Sequence, residues 1–359
     1  MIMQPRKILA KQIGRKFIRV LFSGFAVLFV SGWLNILGPS SALGAEGKPL
    51  PRSLIIATHA VGTGFHADGS VVAKMVSERS PMTMVVRPHP GPPAWLPGMN
   101  NGEIEFGVIV GSDGATAYRG VGAHRKAYPN MRLLMIGAPM HLSFWAPVAS
   151  PIKTTADLKG KRVPSGWAGL PIIQYTGGAA LANGGLTWDD VVKVPVAELA
   201  ENLRAFMEGR TDVLWHSVGA PAVQEANVRI SGGVRPVAIR TSPESLKRMA
   251  DFNPGTYMMM LKKGAAVGIV EDVPLQSEDI TVVAPAQLPE EVVAAILKVL
   301  WDSNDELRKV TPRMRAWTRE RMVSTQAAVP YHPAAIKFFR DKGVWSPDME
   351  PLQQKLLGR

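Results

Sequence analysis

Apolar and polar positions alternate along this chain in two distinct rhythms. Leu54, Ile55 and Ile56 form a short apolar run that predicts a buried strand. A turn of small residues holding Gly62 and Gly64 follows. Val71, Val72, Met75 and Val76 then recur at helical spacing and predict a helix with one apolar face. A strand, a glycine-containing turn and a helix in that order make half of a parallel α/β unit. In such sheets ligands bind beyond the carboxyl ends of the strands, where helix N-termini present free N–H groups.

The same two rhythms continue. Strand-like runs fall at 83–87, 106–110, 132–136, 162–164, 191–196, 213–216, 236–240 and 280–284. Helical patterns lie between them, at 172–182, 198–208 and 289–302, and the chain reads as helical from Pro312 onward. Pro289 suits a first helical turn, and Glu290 and Glu291 suit the positive end of a helix dipole. Strands alternating with helices predict an α/β fold with mainly parallel sheets flanked by helices.

The first 45 residues follow a different rule. Six basic residues and no acid occupy positions 1–19, an apolar stretch covers 20–37, and small residues cover 40–45. This is the grammar of a secretory signal peptide, and it predicts export to the periplasm. An uncleaved anchor is the alternative, since the apolar stretch approaches spanning length. Without residues 1–45 the formal charge falls from +12 to +6. A scattered excess of that size does not mark a nucleic-acid binder. The 359 residues include no cysteine, which excludes disulfides, thiolate chemistry and cysteine metal sites.

No motif for catalysis or a cofactor is present. Gly62 and Gly64 do not complete a dinucleotide fingerprint, and no Walker lysine follows Gly69. No Gly-x-Ser-x-Gly elbow stands in the chain. His59, His66, His89 and His216 share no short metal spacing, so hydrogen bonding is the expected role and no metal is expected. Arg87 ends a predicted strand, and its fork matches a carboxylate. Ser112 and Asp113 follow the next strand and either contact a polar ligand or cap a helix. Trp95, Trp145, Trp167 and Trp215 lie at or beside predicted strand ends. Two of the four are expected at a cleft, where indoles would suit a partly apolar ligand.

The segment Thr155-Ala-Asp-Leu-Lys-Gly-Lys-Arg-Val163 resembles the start of the second domain of a type II periplasmic solute-binding protein. The wider order resembles the TAXI receptors of tripartite ATP-independent periplasmic (TRAP) transporters. Thr58 through Gly69 is similar to that family's opening turn, with Gly62-Thr63 at its glycine pair and Phe65-His66 at its aromatics. Gly91 sits in the next small-residue loop, and Gly102-Glu-Ile-Glu-Phe-Gly107 follows it. Val110-Gly-Ser-Asp-Gly-Ala-Thr-Ala-Tyr-Arg-Gly120 and Glu208-Gly-Arg-Thr-Asp-Val-Leu-Trp-His-Ser-Val-Gly-Ala-Pro221 resemble later family segments. The coverage runs in order from about residue 53 to about 300.

The resemblance implies a two-domain receptor with a ligand cleft between the domains. The expected parts are a signal peptide at 1–45, domain one from 46 to 150, domain two from 151 to 240, and a return to domain one over 241–359. It implies a ligand site built from Gly62, Thr63, Phe65, His66, Gly91, Ser112, Asp113, Gly169, His216 and Gly219, to which Arg87, Trp95 and Trp167 are added from their own chemistry. The implied function is capture of a small organic solute and delivery to a TRAP-type membrane permease, with no catalytic residues and no cofactor. Two departures bear on the solute. The family's Gly-Ser is Gly91-Pro92 here, inside a rigid proline-rich loop, and its Gly-Ser-Gly-Thr-like turn is Ser165-Gly166-Trp167-Ala168-Gly169-Leu170. Polar recognition is reduced, which favours a carboxylate-bearing but partly apolar solute. A ligand-sensing domain without transport, or an exported enzyme, is the alternative.

Overall fold

The computed structural model describes residues 49–61, 63–168 and 170–358, all within one unit, Gly47–Arg359. The proposed signal peptide, Gly62 and Gly169 lie outside the described residues. Among the described residues no helix is long and apolar enough to cross a membrane.

The chain opens with β1 (Ser53–Thr58), α1 (Gly64–Arg79), β2 (Thr83–Pro88), α2 (Leu96–Asn101), β3 (Phe106–Val110) and α3 (Gly111–Arg119). A long strand, β4 (Met131–Pro147), leads to β5 (Arg162–Gly166), α4 (Pro171–Asn183), β6 (Val192–Val196), α5 (Leu199–Met207) and β7 (Leu214–Ser217). Then come α6 (Pro221–Arg229), β8 (Val234–Pro236), α7 (Pro243–Phe252) and β9 (Tyr257–Leu261). A second long strand, β10 (Val273–Pro285), precedes α8 (Glu290–Asp302), α9 (Asn304–Val310), α10 (Pro333–Asp341) and α11 (Met349–Leu356).

The fold is α/β, as the alternation predicts. Parallel pairing joins β2 to β1, β1 to β3, and β5 to β6. The long strands add antiparallel ladders: β10 with β3, β4 and β9, and β4 with β7 and β8. The main sheet therefore runs β2-β1-β3-β10-β4-β7, with β8 and β9 attached to β4 and β10. The helices bury apolar stripes on it. On α8, Val292, Val293, Ile296, Leu297 and Leu300 are buried at helical spacing.

The apolar interior is divided. A first core gathers residues from Leu54 to Ala138 and from Ile280 to Met349. Separate clusters hold Leu142 to Val237 and Trp145 to Leu275. Among the described residues only β4 and β10 run from the first core to the others, and Met140 packs against both sides of the divide. At the crossing β10 carries Gln276, Ser277, Glu278 and Asp279, four polar residues that are all buried.

The reading of 312–358 as helical holds for α10 and α11 only. Residues Pro312–Ala316 and Arg319–Arg321 are single 3-10 turns. Pro312 ends the preceding helix, and Arg313, Arg319 and Arg321 in this segment reach back to backbone or carboxylates elsewhere.

Candidate ligand-binding site

The N-terminus of α1 follows β1 through a short turn. Thr63 caps the helix, its hydroxyl accepting from the His66 N–H at 3.2 Å. The Thr58 hydroxyl lies 3.2 Å from His66 Nδ1, which fixes that imidazole. The His59 ring stacks on Phe65 with centroids 4.1 Å apart. Burial pushes the His59 imidazole below its ordinary value, against the attraction of Asp113, so it stays neutral.

An arginine from far along the chain completes this turn. Arg313 donates from Nε and Nη2 to the two oxygens of Asp68, at 3.1 and 2.8 Å. The Asp68 carboxylate is buried, while the Arg313 side chain is 48% exposed. A Cβ on Gly64 would stand 2.5 Å from Arg313 Nη2, so glycine lets the guanidinium lie on the first turn of α1. Among the described residues Nη1 of Arg313 makes no hydrogen bond. A cation and free helix N–H groups therefore share one end of α1.

Ser112 and Asp113 open α3, yet neither caps it. The Ser112 hydroxyl hydrogen-bonds to Glu278, and Asp113 pairs with His124 Nε2 at 2.5 Å. Both pairs are buried. Burial pushes the Glu278 carboxyl up to about 8; Ser112 pulls it down, and Asp113 and Asp279 add to the rise. Glu278 is thus protonated at neutral pH. Beside it, His141 Nδ1 lies 2.8 Å from the Ser277 hydroxyl, and burial lowers that imidazole to about 4.

On the other side of the divide, α4 begins just after Gly166 and Trp167. Trp167 has φ +47°, the one positive value outside glycine among the described residues. Such a conformation is strained for a bulky residue. It is held by Trp167 N–H donating to Val196 O at 2.8 Å and by an indole buried in the second core. The Gln276 amide donates to Thr176 O of α4 at 3.1 Å, and a Cβ on Gly122 would stand 3.2 Å from the Tyr175 ring. His216 ends in β7, lowered to about 4 by burial, and accepts from Ser217 N–H at 3.0 Å. Gly219 takes φ +79° with open space on its Cβ side.

The tryptophans correct an expectation. Trp95 is wholly buried in the first core, where Gly107 makes room for its ring at 2.6 Å. Trp145 is buried with its N–H donating to His216 O at 3.1 Å, and Trp215 packs edge-on against Phe144. All four indoles, that of Trp167 included, are buried packing groups, so the expected pair at a cleft is not found. Arg87 is exposed at the end of edge strand β2 and forms no ion pair among the described residues. The loop after it is tied back by His89 N–H to Thr58 O at 3.0 Å, and Gly91 precedes the 3-10 turn Pro92–Ala94.

The structure thus joins Thr63, Phe65 and His66 at one helix end, and Ser112 and Asp113 at the next. It brings in Arg313, Glu278 and Tyr175, which the sequence reading did not single out. The polar run Gln276–Asp279 beside an apolar strand is visible in the sequence, but its burial, which sets Glu278 apart, is not. Arg313 had no signal, because it lies 245 residues from Asp68. Among the described residues no three His, Asp or Glu side chains gather as a metal site. Two surface hollows, of about 470 and about 410 Å³, lie between α10 and α11 and beside Lys161 and Phe206, away from all these residues.

A model of the NMT1-like family matches residues 56–343, most of the chain. The chain belongs to the NMT1-like family. The matched span of this NMT1-like chain opens inside β1 and includes both long strands and all the residues described at the ends of α1, α3 and α4. Solved structures similar to it include a TctC solute binding protein from Polaromonas, at 14% identity and TM-score 0.48, covering 74% of this chain and 86% of that one. The alkanesulfonate-binding protein SsuA from Xanthomonas axonopodis pv. citri shares 16% identity at TM-score 0.41, over 84% and 98%. The L-cystine solute receptor of Neisseria gonorrhoeae shares 13% at TM-score 0.40, over 76% and 95%.

Proposed function

We propose that this chain is an exported, non-catalytic receptor for a small anionic solute. In this reading residues 49–139 and 280–358 form one lobe and residues 142–275 the other. The lobes close on the solute about the crossing of β4 and β10. The observation that carries the reading is the arrangement at that crossing. Two strands join two separate cores, and α3 and α4, one from each side, bond to β10 there through Ser112 and Thr176. A solute between the lobes would favour the closed form in proportion to its differential affinity.

Arg313, with Arg87 as the second cation, would hold the solute's carboxylate at the N-terminus of α1. The TAXI-like order of motifs supports a TRAP-type permease as the partner that receives the solute. Titration of small organic acids, followed by tryptophan fluorescence, tests this. Saturable binding without product is expected, and turnover would overturn it. Arg313→Ala should weaken that binding by roughly tenfold or more, the loss of a charge-assisted hydrogen bond, with the fold intact by circular dichroism. Unchanged affinity would remove Arg313 from the site.

A further inference from the structure

Strand β10 changes partners at the crossing. Up to Ser277 it pairs with β9, and from Ile280 onward it pairs with β3. Glu278 and Asp279 pair with neither. On the opposite edge Asp279 faces Pro139 of β4, which has no N–H to donate, and the register then shifts between Asp279 and Thr281. At Glu278 and Asp279 the β10 backbone is thus paired on its β4 side alone.

Side chains converge on that gap. The Tyr257 hydroxyl, on the first residue of β9, donates to Asp279 Oδ1 at 2.7 Å. Arg321, from the segment after α9, bonds to the same carboxylate oxygen and donates from Nε to Gly137 O of β4 at 3.1 Å. Its Nη2 also lies 3.4 Å from the Tyr257 hydroxyl. The carboxylate is almost fully buried, with only 6% of the side chain exposed. One guanidinium and one carboxylate therefore tie β4, β9 and β10 together where β10 has left β9 and not yet met β3.

We infer that Arg321, Asp279 and Tyr257 form a latch that stiffens the hinge and sets the resting angle between the two lobes. The inference rests on the two-lobe reading above. Relaxing the latch would shift the open–closed balance without touching the solute.

Hydrogen exchange on the solute-free full-length protein tests it. Tyr257→Phe removes one hydroxyl and keeps the ring; Arg321→Lys keeps the charge and loses the fork. Each should accelerate amide exchange over residues 277–281 about fivefold, the effect of one lost hydrogen bond on local opening, while β1 amides keep their wild-type rate. Unchanged exchange at 277–281 in either variant overturns the latch. Equal acceleration in β1 also overturns it, because the cluster would then serve only global stability. No solute enters this measurement, so its failure leaves solute binding to be judged by the titrations above.

Discussion

At the scale of single residues, the site region is governed by burial. Among the described residues Glu278 has no cation beside it, and its proton is retained to about pH 8 when folded, against 4.5 for the free side chain. A carboxyl with a raised folded value stabilises the protein fully below its unfolded value. That stability is lost as pH rises through the folded one. Wild-type melting temperature should therefore fall between pH 4.5 and 8 relative to Glu278→Gln, and parallel curves would contradict the assignment. The Asp113–His124 pair is buried on both sides. Removing the imidazole leaves a buried carboxylate, so His124→Ala should cost about 3 kcal/mol in urea unfolding. The sequence left Ser112 and Asp113 between ligand contact and helix capping, and in the structure neither caps α3. Their partners are 166 and 11 residues away, and only the tertiary fold decides between capping, ligand contact and internal pairing.

At the scale of elements, small and large residues fit across the layers. The Trp317 ring occupies the space above Gly137, and a Cβ there would stand 2.6 Å from it. Gly137→Ala should destabilise the protein by about 2 kcal/mol, measured by thermal or chemical unfolding, because an overpacked core must shift. Thr63→Ala should cost about 1 kcal/mol through loss of the α1 cap, by the same measurement. The helices predicted at 172–182, 198–208 and 289–302 match α4, α5 and α8 to within a residue or so; α5 and α8 carry regular apolar stripes, and α4 is apolar nearly all round. The crossing strands were legible only in part. Arg132–Ile136 and Ile280–Ala284 were read as strands, but β4 runs on to Pro147 and β10 begins at Val273. Prolines and the buried polar run Gln276–Asp279 interrupt the apolar pattern there, and burial of polar residues cannot be seen in a sequence.

At the scale of the whole molecule, the alternation of strands and helices was enough to place the fold class. It did not show that, among the described residues, the chain passes between the first core and the rest through two strands. That feature depends on which strands pair, and the pairing of β10 with β3, β4 and β9 is set by contacts distant in sequence. The division gives the proposed receptor its physical basis, since separate cores can move as bodies about a narrow junction. Melting curves of the protein without residues 1–45, across small organic acids, amino acids and aromatic acids, test this account most directly. A ligand that binds only the folded state raises the melting temperature by mass action. The account predicts a clear, concentration-dependent rise with at least one carboxylate-bearing solute, reduced in Arg313→Ala. No rise with any of them, together with no solute released from the denatured protein in mass spectrometry, would contradict it.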